Sequence, residues 1–175
     1  MHYNDFLNYL DENKLNFVLS RACHKSAPWF LGCEKQFLNI LEIGRSKGHS
    51  IALFKYLWSN SAIVSIDTIK HKEVDTVINH FEGNGSVELL DGDVRVLASC
   101  KTIFDLVLID GDHSYAGALK DWNGIQKNIG KGTTVVFDDL DHIYGCGDVY
   151  YELQKDYEHQ VITHEGKEVC GVLII

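Results

Sequence analysis

Residues 38–50 read Leu-Asn-Ile-Leu-Glu-Ile-Gly-Arg-Ser-Lys-Gly-His-Ser, and they constrain the fold more than any other stretch of the chain. An apolar run ends in the acid Glu42, Gly44 follows two residues later, and Gly48 closes a four-residue turn. A helical pattern opens at Ile51. Strand, glycine turn and helix form the unit with which an open α/β sheet brings its backbone up to a small molecule. A residue without Cβ accepts positive φ and allows close approach. The acid at the strand end suits a ligand with hydroxyl or amino groups rather than phosphates.

The rest of the chain repeats the alternation. Short apolar, β-branched runs predict strands at 38–43, 62–66, 86–90, 104–109 and 133–137, buried on both faces. Segments 50–58, 70–81, 94–100 and 115–128 have room for crossover helices. This order implies right-handed βαβ units and a parallel sheet covered on both sides. After Asp139, a loop with Gly145 and Gly147 leads into a helix expected over 148–157. The link Glu165-Gly166-Lys167 is short enough to predict an antiparallel hairpin between strands at 160–164 and 169–175. Residues 1–37 read as a helical segment that Pro28, the single proline, breaks in two. One domain, 1–175, with a core over 38–175, is the expected organisation for 175 residues.

Charge narrows the partners. With 16 basic and 25 acidic residues, the net charge of −9 argues against a nucleic-acid or anionic-membrane surface. No apolar run approaches the ~20 residues that span a bilayer. The start, Met-His-Tyr-Asn-Asp, lacks the plan of a signal peptide. The five cysteines (Cys23, Cys33, Cys100, Cys146, Cys170) contain no C-x-x-C pair, so reduced, mostly buried thiols in a cytoplasmic protein are expected.

Acids recur where the strands end: Glu42, Asp67, then Asp91 and Asp93, then Asp110, then Asp138 and Asp139. Ligands of open α/β sheets bind outside the carboxyl ends of the strands. Any one of these acids alone would read as a turn residue, and it is their coincidence at five successive strands that points to a site. Asp67, 23 residues after Gly44, is placed to accept hydrogen bonds from ribose hydroxyls. The spacing Gly44-x-x-x-Gly48, with Ser46 inside it, departs from the G-x-G-x-x-G of dinucleotide sites.

On these residues the chain resembles the class I S-adenosylmethionine-dependent methyltransferases. More narrowly it is similar to the small bacterial and phage branch that includes sugar and macrolide O-methyltransferases. The stretches that carry the resemblance are 41–50, 65–67, 104–121 and 135–139, within a match spanning roughly 37–175. Ile-Asp-Gly-Asp-His-Ser-Tyr at 109–115 is the most specific part. The resemblance implies a Rossmann-like, mostly parallel seven-stranded sheet whose last strand is antiparallel, with helices on both faces. It implies that Glu42, Gly44, Ser46 and Gly48 line the methionine end of the cofactor, with Asp110 close by. Asp67 would hold the ribose, and Asp93 with Val94 would border the adenine.

Two features could carry catalysis. Asp110, Asp138 and Asp139 form a trio of hard oxygen donors at neighbouring strand ends, a set suited to Mg²⁺ and matching the positions of related metal-dependent enzymes. His113, three residues after Asp110, is a natural general base for a hydroxyl, at the offset some metal-dependent sugar methyltransferases use. His142 is a weaker candidate, and Tyr115 is expected to pack. Arg45 and Lys47 either face water or touch the cofactor carboxylate. The function expected is O-methylation of a small hydroxylated acceptor, with an inert nucleoside-binding module as the alternative. The chain is short for a self-contained lid, which residues 1–37 or a second copy of the chain would have to supply.

Overall fold

The structure is a computed structural model that describes residues 2–19, 25–141 and 143–175. Cys23 and His142 lie outside the described residues. The strands are β1 (Asn39–Ile43), β2 (Ala62–Asp67), β3 (Ser86–Asp91), β4 (Leu106–Ile109), β5 (Thr134–Asp138), β6 (Glu158–His164) and β7 (Lys167–Ile174). The helices are α1 (Tyr3–Glu12), α2 (Ala27–Gly32), α3 (His49–Leu57), α4 (Glu73–His80), α5 (Tyr115–Ile125) and α6 (Cys146–Leu153). They assemble one sheet in the order β3-β2-β1-β4-β5-β7-β6. Strands β1 to β5 pair in parallel, and β7 runs antiparallel to both β5 and β6. The expected Rossmann-like sheet and its terminal hairpin are therefore both present.

Side-chain alternation explains why the strands read as unbroken apolar runs. Ile40, Leu106 and Leu108 face one apolar cluster with Phe6, Leu10, Phe30 and Phe54. Leu41, Ile43, Val107 and Ile109 face a second with Leu97, Trp122, Ile125 and Tyr150. Each strand thus supplies both layers. Trp58 and Trp122 are buried in these layers.

The local differences have physical causes. Pro28 does not break a helix; it sits in the first turn of α2, where its missing N–H costs nothing. The N-terminal segment instead folds as α1 and a 3₁₀ turn at Asn16–Val18 before α2. The link from β3 to β4 is a six-residue 3₁₀ helix, Val94–Ser99, rather than an α-helix. Asp93 caps it by accepting from Arg95 N at 3.0 Å. Helix α6 begins two residues earlier than expected, after Gly145 at φ +88°.

Sheet order reverses between β1 and β4, whose successors in sequence, β2 and β5, lie on opposite sides. That switch point opens the crevice in which open α/β sheets bind ligands.

Candidate functional site

A cavity of about 740 Å³ occupies the switch point. Gly44, Ser46, Asp67, Asp93, Asp110 and His113 line it, and so do Asp138 and Asp139. Val18, Leu19, Ser26 and Phe30 close it from the N-terminal segment.

The glycine turn is held from several sides. Gly44 adopts φ +92° and Gly48 φ +89°. Asp67 Oδ2 accepts from the backbone N–H groups of Arg45 (3.0 Å) and Ser46 (2.9 Å), while Oδ1 accepts from Ile69 N at 2.8 Å. Asp67 therefore organises the turn as well as facing the cavity. Arg45 does not face water. It is 3% exposed and donates to Ser65 O, Leu90 O and Asp91 Oδ1, tying the ends of β2 and β3 together. Lys47 is exposed and reaches Glu73 at 3.8 Å.

Three of the expected cofactor-lining residues are placed elsewhere. Glu42 is 0% exposed and does not border the cavity; Ser50 and Ser65 both donate to its carboxylate. Burial raises that carboxyl to about 7, against the opposing pull of the two serines. Alternation along β1 is the reason, since Glu42 points opposite to Leu41 and Ile43, beneath the start of α3. Gly48 caps α3 from the turn without touching the cavity. Val94 is 3% exposed and packs in the core beside Gly124. Tyr115 lies on the surface and donates to Glu152 at 2.9 Å.

All three members of the expected trio, Asp110, Asp138 and Asp139, line the cavity, and His113 joins them there. Ligand atoms of Asp110, His113 and Asp139 all lie within 4.8 Å of one another. Asp138 turns aside to accept from Ser26 Oγ at 2.8 Å and from the N–H of Asp139 at 3.0 Å. The loops after β4 and β5 are stitched together, with Cys146 N donating to His113 O and Tyr115 N to Tyr144 O. This carries His113 Nδ1 to 3.7 Å from Asp139 Oδ2. Burial, then the charges of Asp138 and Asp139, push the Asp110 carboxyl well above its usual range. Burial raises Asp138 to about 6. Lys25 approaches the cluster from the N-terminal segment, 3.3 Å from Asp139 and 2.8 Å from Asp141. A divalent cation fits such a cluster, because converging carboxylates gain from positive charge what burial takes away.

Sequence reasoning missed Lys25 and Ser26, whose approach is long-range and leaves no local signal. It also missed Asp121, which lines the cavity at 5% exposure. That one was detectable as an acid on the apolar stripe of α5.

Residues 41–140 match the model of a family described as a methyltransferase domain. The chain is 27% identical over 117 residues to an uncharacterized protein of Acanthamoeba polyphaga mimivirus. That match takes in 61% of this chain and 53% of the relative, so it spans about half the relative's length. Among solved structures, the Bacillus cereus O-methyltransferase in complex with SAH superimposes with a TM-score of 0.71 at 16% identity, covering 100% of this chain and 92% of its own. The O-methyltransferase TomG from Streptomyces achromogenes, in complex with SAM, gives 0.71 at 16% identity, covering 98% and 88%.

Proposed function

Because the chain belongs to the methyltransferase domain family, as a class I S-adenosylmethionine-dependent methyltransferase, we propose that it methylates a hydroxyl of a small acceptor with the help of Mg²⁺. The observation that carries this reading is the convergence of Asp110, His113 and Asp139 on one end of the cavity, beside the glycine turn. Gly44 and Ser46 present backbone to the methionine end of the cofactor. Asp67, which already accepts three backbone hydrogen bonds, retains acceptor capacity for one ribose hydroxyl, and Asp93 borders the base.

The cofactor supplies a methyl group activated on a sulfonium, and a cation held by Asp110 and Asp139 supplies charge that lowers the pKa of an acceptor hydroxyl. His113 accepts that hydroxyl proton, its ring steered by the neighbouring Asp139 carboxylate. Asp138 holds the N-terminal segment over the cavity through Ser26. Transfer is an in-line displacement, so the remaining task of the chain is alignment and exclusion of water. Val18, Leu19 and Phe30 provide the apolar wall for that. In this reading the whole chain acts as one domain. Its four described cysteines are free, which suits a reducing compartment. Among the described residues no helix is long and apolar enough to cross a membrane.

The test is labelled-methyl transfer from S-adenosylmethionine to a set of catechol and sugar acceptors, with and without Mg²⁺. His113→Ala is expected to slow turnover on the order of a hundredfold while leaving SAH affinity, read by calorimetry, unchanged. SAH binding without transfer to any acceptor would instead identify an inert module. Lys25→Ala removes a positive charge that competes for Asp139. Its expected effect is to tighten Mn²⁺ binding by about fivefold, for a partly exposed pair worth about 1 kcal/mol. Weaker Mn²⁺ binding in that variant would show that Lys25 organises the cluster.

A further inference from the structure

Strand β6 forms one edge of the sheet, and its seven residues pair with β7 alone among the described strands. The ladder fixes which backbone groups are left over. The N–H of Ile175 donates to Thr133 O at 3.0 Å, and Val169 O accepts from Leu140 N at 3.1 Å, both on the β5 side. Backbone groups alternate in direction along a strand, so the odd positions of β7 turn to β5 and the even ones to β6. Val172 therefore bonds to Gln160, its register partner, and the N–H and C=O of His159 and Val161 point away from the sheet. Such an edge is a template for another strand, and proteins commonly blunt it with lysine or proline. Strand β6 contains neither. The one irregularity of its ladder falls between Ile162 and Thr163, past the middle of the strand.

The residues of this edge say what it fits. Glu-His-Gln-Val-Ile-Thr-His carries an acid at one end and an imidazole at the other, both exposed. A two-fold axis through Val161, the midpoint, lays a second β6 antiparallel to the first. Glu158 then stands opposite the partner's His164, and the symmetry makes that pair twice. The outward N–H and C=O of Val161 exchange both hydrogen bonds with the partner's Val161. Apolar layers continue across the seam, since Val161 packs on the cluster of Trp122 and Ile162 on that of Phe30. Half-buried Trp29 of α2 lies on the Ile162 side and donates to Gln160 Oε1 at 3.3 Å. The other edge of the sheet, β3, carries Glu88 and Asp91 and no base, so a copy of itself would bring only like charge.

We propose that β6 is a self-association edge, to which a second copy of this chain adds its own β6 so that the two sheets become one. The seam runs beside α2, which carries Ser26 and Phe30 to the cavity wall.

Sedimentation velocity on the full chain at micromolar concentration tests this, and the wild-type protein is expected to run as a dimer. Val161→Pro is expected to run as a monomer with an unchanged circular dichroism spectrum, because the N–H it removes faces outward and an edge tolerates proline there. Glu158→Lys changes only an exposed side chain and is expected to weaken the dimer on the order of tenfold. Adding His164→Glu to that variant exchanges the two charges and is expected to restore the wild-type dissociation constant. A monomeric wild-type protein overturns the proposal. So does a dimer that Glu158→Lys leaves unmoved, or one that the double exchange fails to rescue.

Discussion

Gly44→Ala is expected to destabilise the protein by more than about 3 kcal/mol and to abolish SAH binding, the largest effect of any single methyl group in the chain. Gly44 sits at φ +92°, and a Cβ there would overlap the carbonyl oxygen of Asp110 and lie 2.9 Å from Gly111 Cα. These are backbone atoms, so no rotamer change relieves the clash. Nor can the turn swing away. Gly44 N donates to Ile66 O at 2.8 Å on one side, and Asp110 N donates to Ile43 O at 2.8 Å on the other. The end of β1 is stapled between β2 and β4, and the methyl must prise β4 outward with Asp110 on it. Gly48→Ala is the control. Its φ is nearly the same, +89°, but the nearest atom to its Cβ is a Val77 methyl at 3.5 Å. Only the left-handed backbone penalty applies, about 1–2 kcal/mol. Urea unfolding and calorimetry with SAH check both variants. Equal midpoints for the two alanines would show that the Asp110 loop does not press on Gly44.

The contrast between these two glycines marks what can be read from a sequence. The strand–turn–helix unit was legible because periodicity and glycine punctuation are local. The row of acids was legible because a parallel sheet sends every carboxyl end to one edge. The direction of each side chain was not. Glu42 and Ile43 differ by one residue and point to opposite faces, so an acid near a strand end can face the ligand or lie beneath the helix, as Glu42 does under Ser50. The sequence leaves Arg45 either facing water or touching the cofactor carboxylate; its burial depends on carbonyl groups from β2 and β3 that meet only after the sheet forms. The hydrogen bond that Asp138 accepts comes from Ser26, 112 residues away in sequence, and no local pattern announces it. Pro28 suggests a breaker because the neighbouring residues alone do not fix where a helix starts; in the fold it lies in the first turn of α2.

The ligand-free protein is expected to be more stable at pH 5 than at pH 8, against the common direction of acid denaturation. Glu42 rises from 4.5 to about 7 on folding, and Asp121 from 3.8 to about 6, in both cases chiefly through burial. Between the unfolded and folded values the native state holds more protons than the unfolded chain, so stability falls as pH rises. The contribution is complete below about pH 4 and is lost as pH climbs through about 6 to 7. Each shift of about two units corresponds to about 3 kcal/mol as an upper bound. Asp110 and Asp138 shift in the same direction. Asp91, Asp93 and Asp112 are depressed by their partners and act oppositely, but only below the ordinary carboxylate range, and Asp91 and Asp112 do so at exposed positions where solvent screens them. Maximum stability should therefore fall near pH 5. Glu42→Gln removes one raised carboxyl and should melt higher than wild type at pH 8 but level with it at pH 5. The same imbalance bears on ligand choice. Asp110, Asp121 and Asp138, the raised carboxyls that wall the cavity, gain most from a cationic occupant, and S-adenosylmethionine carries both a sulfonium and an ammonium. Its stabilisation of the protein should be larger at pH 8 than at pH 5, where the acids have taken up protons instead. Thermal melts across pH 4–9, with and without cofactor, measure both slopes. A flat profile for the free protein would mean that Glu42 and Asp121 reach water, and the electrostatic case for a cationic ligand would go with it.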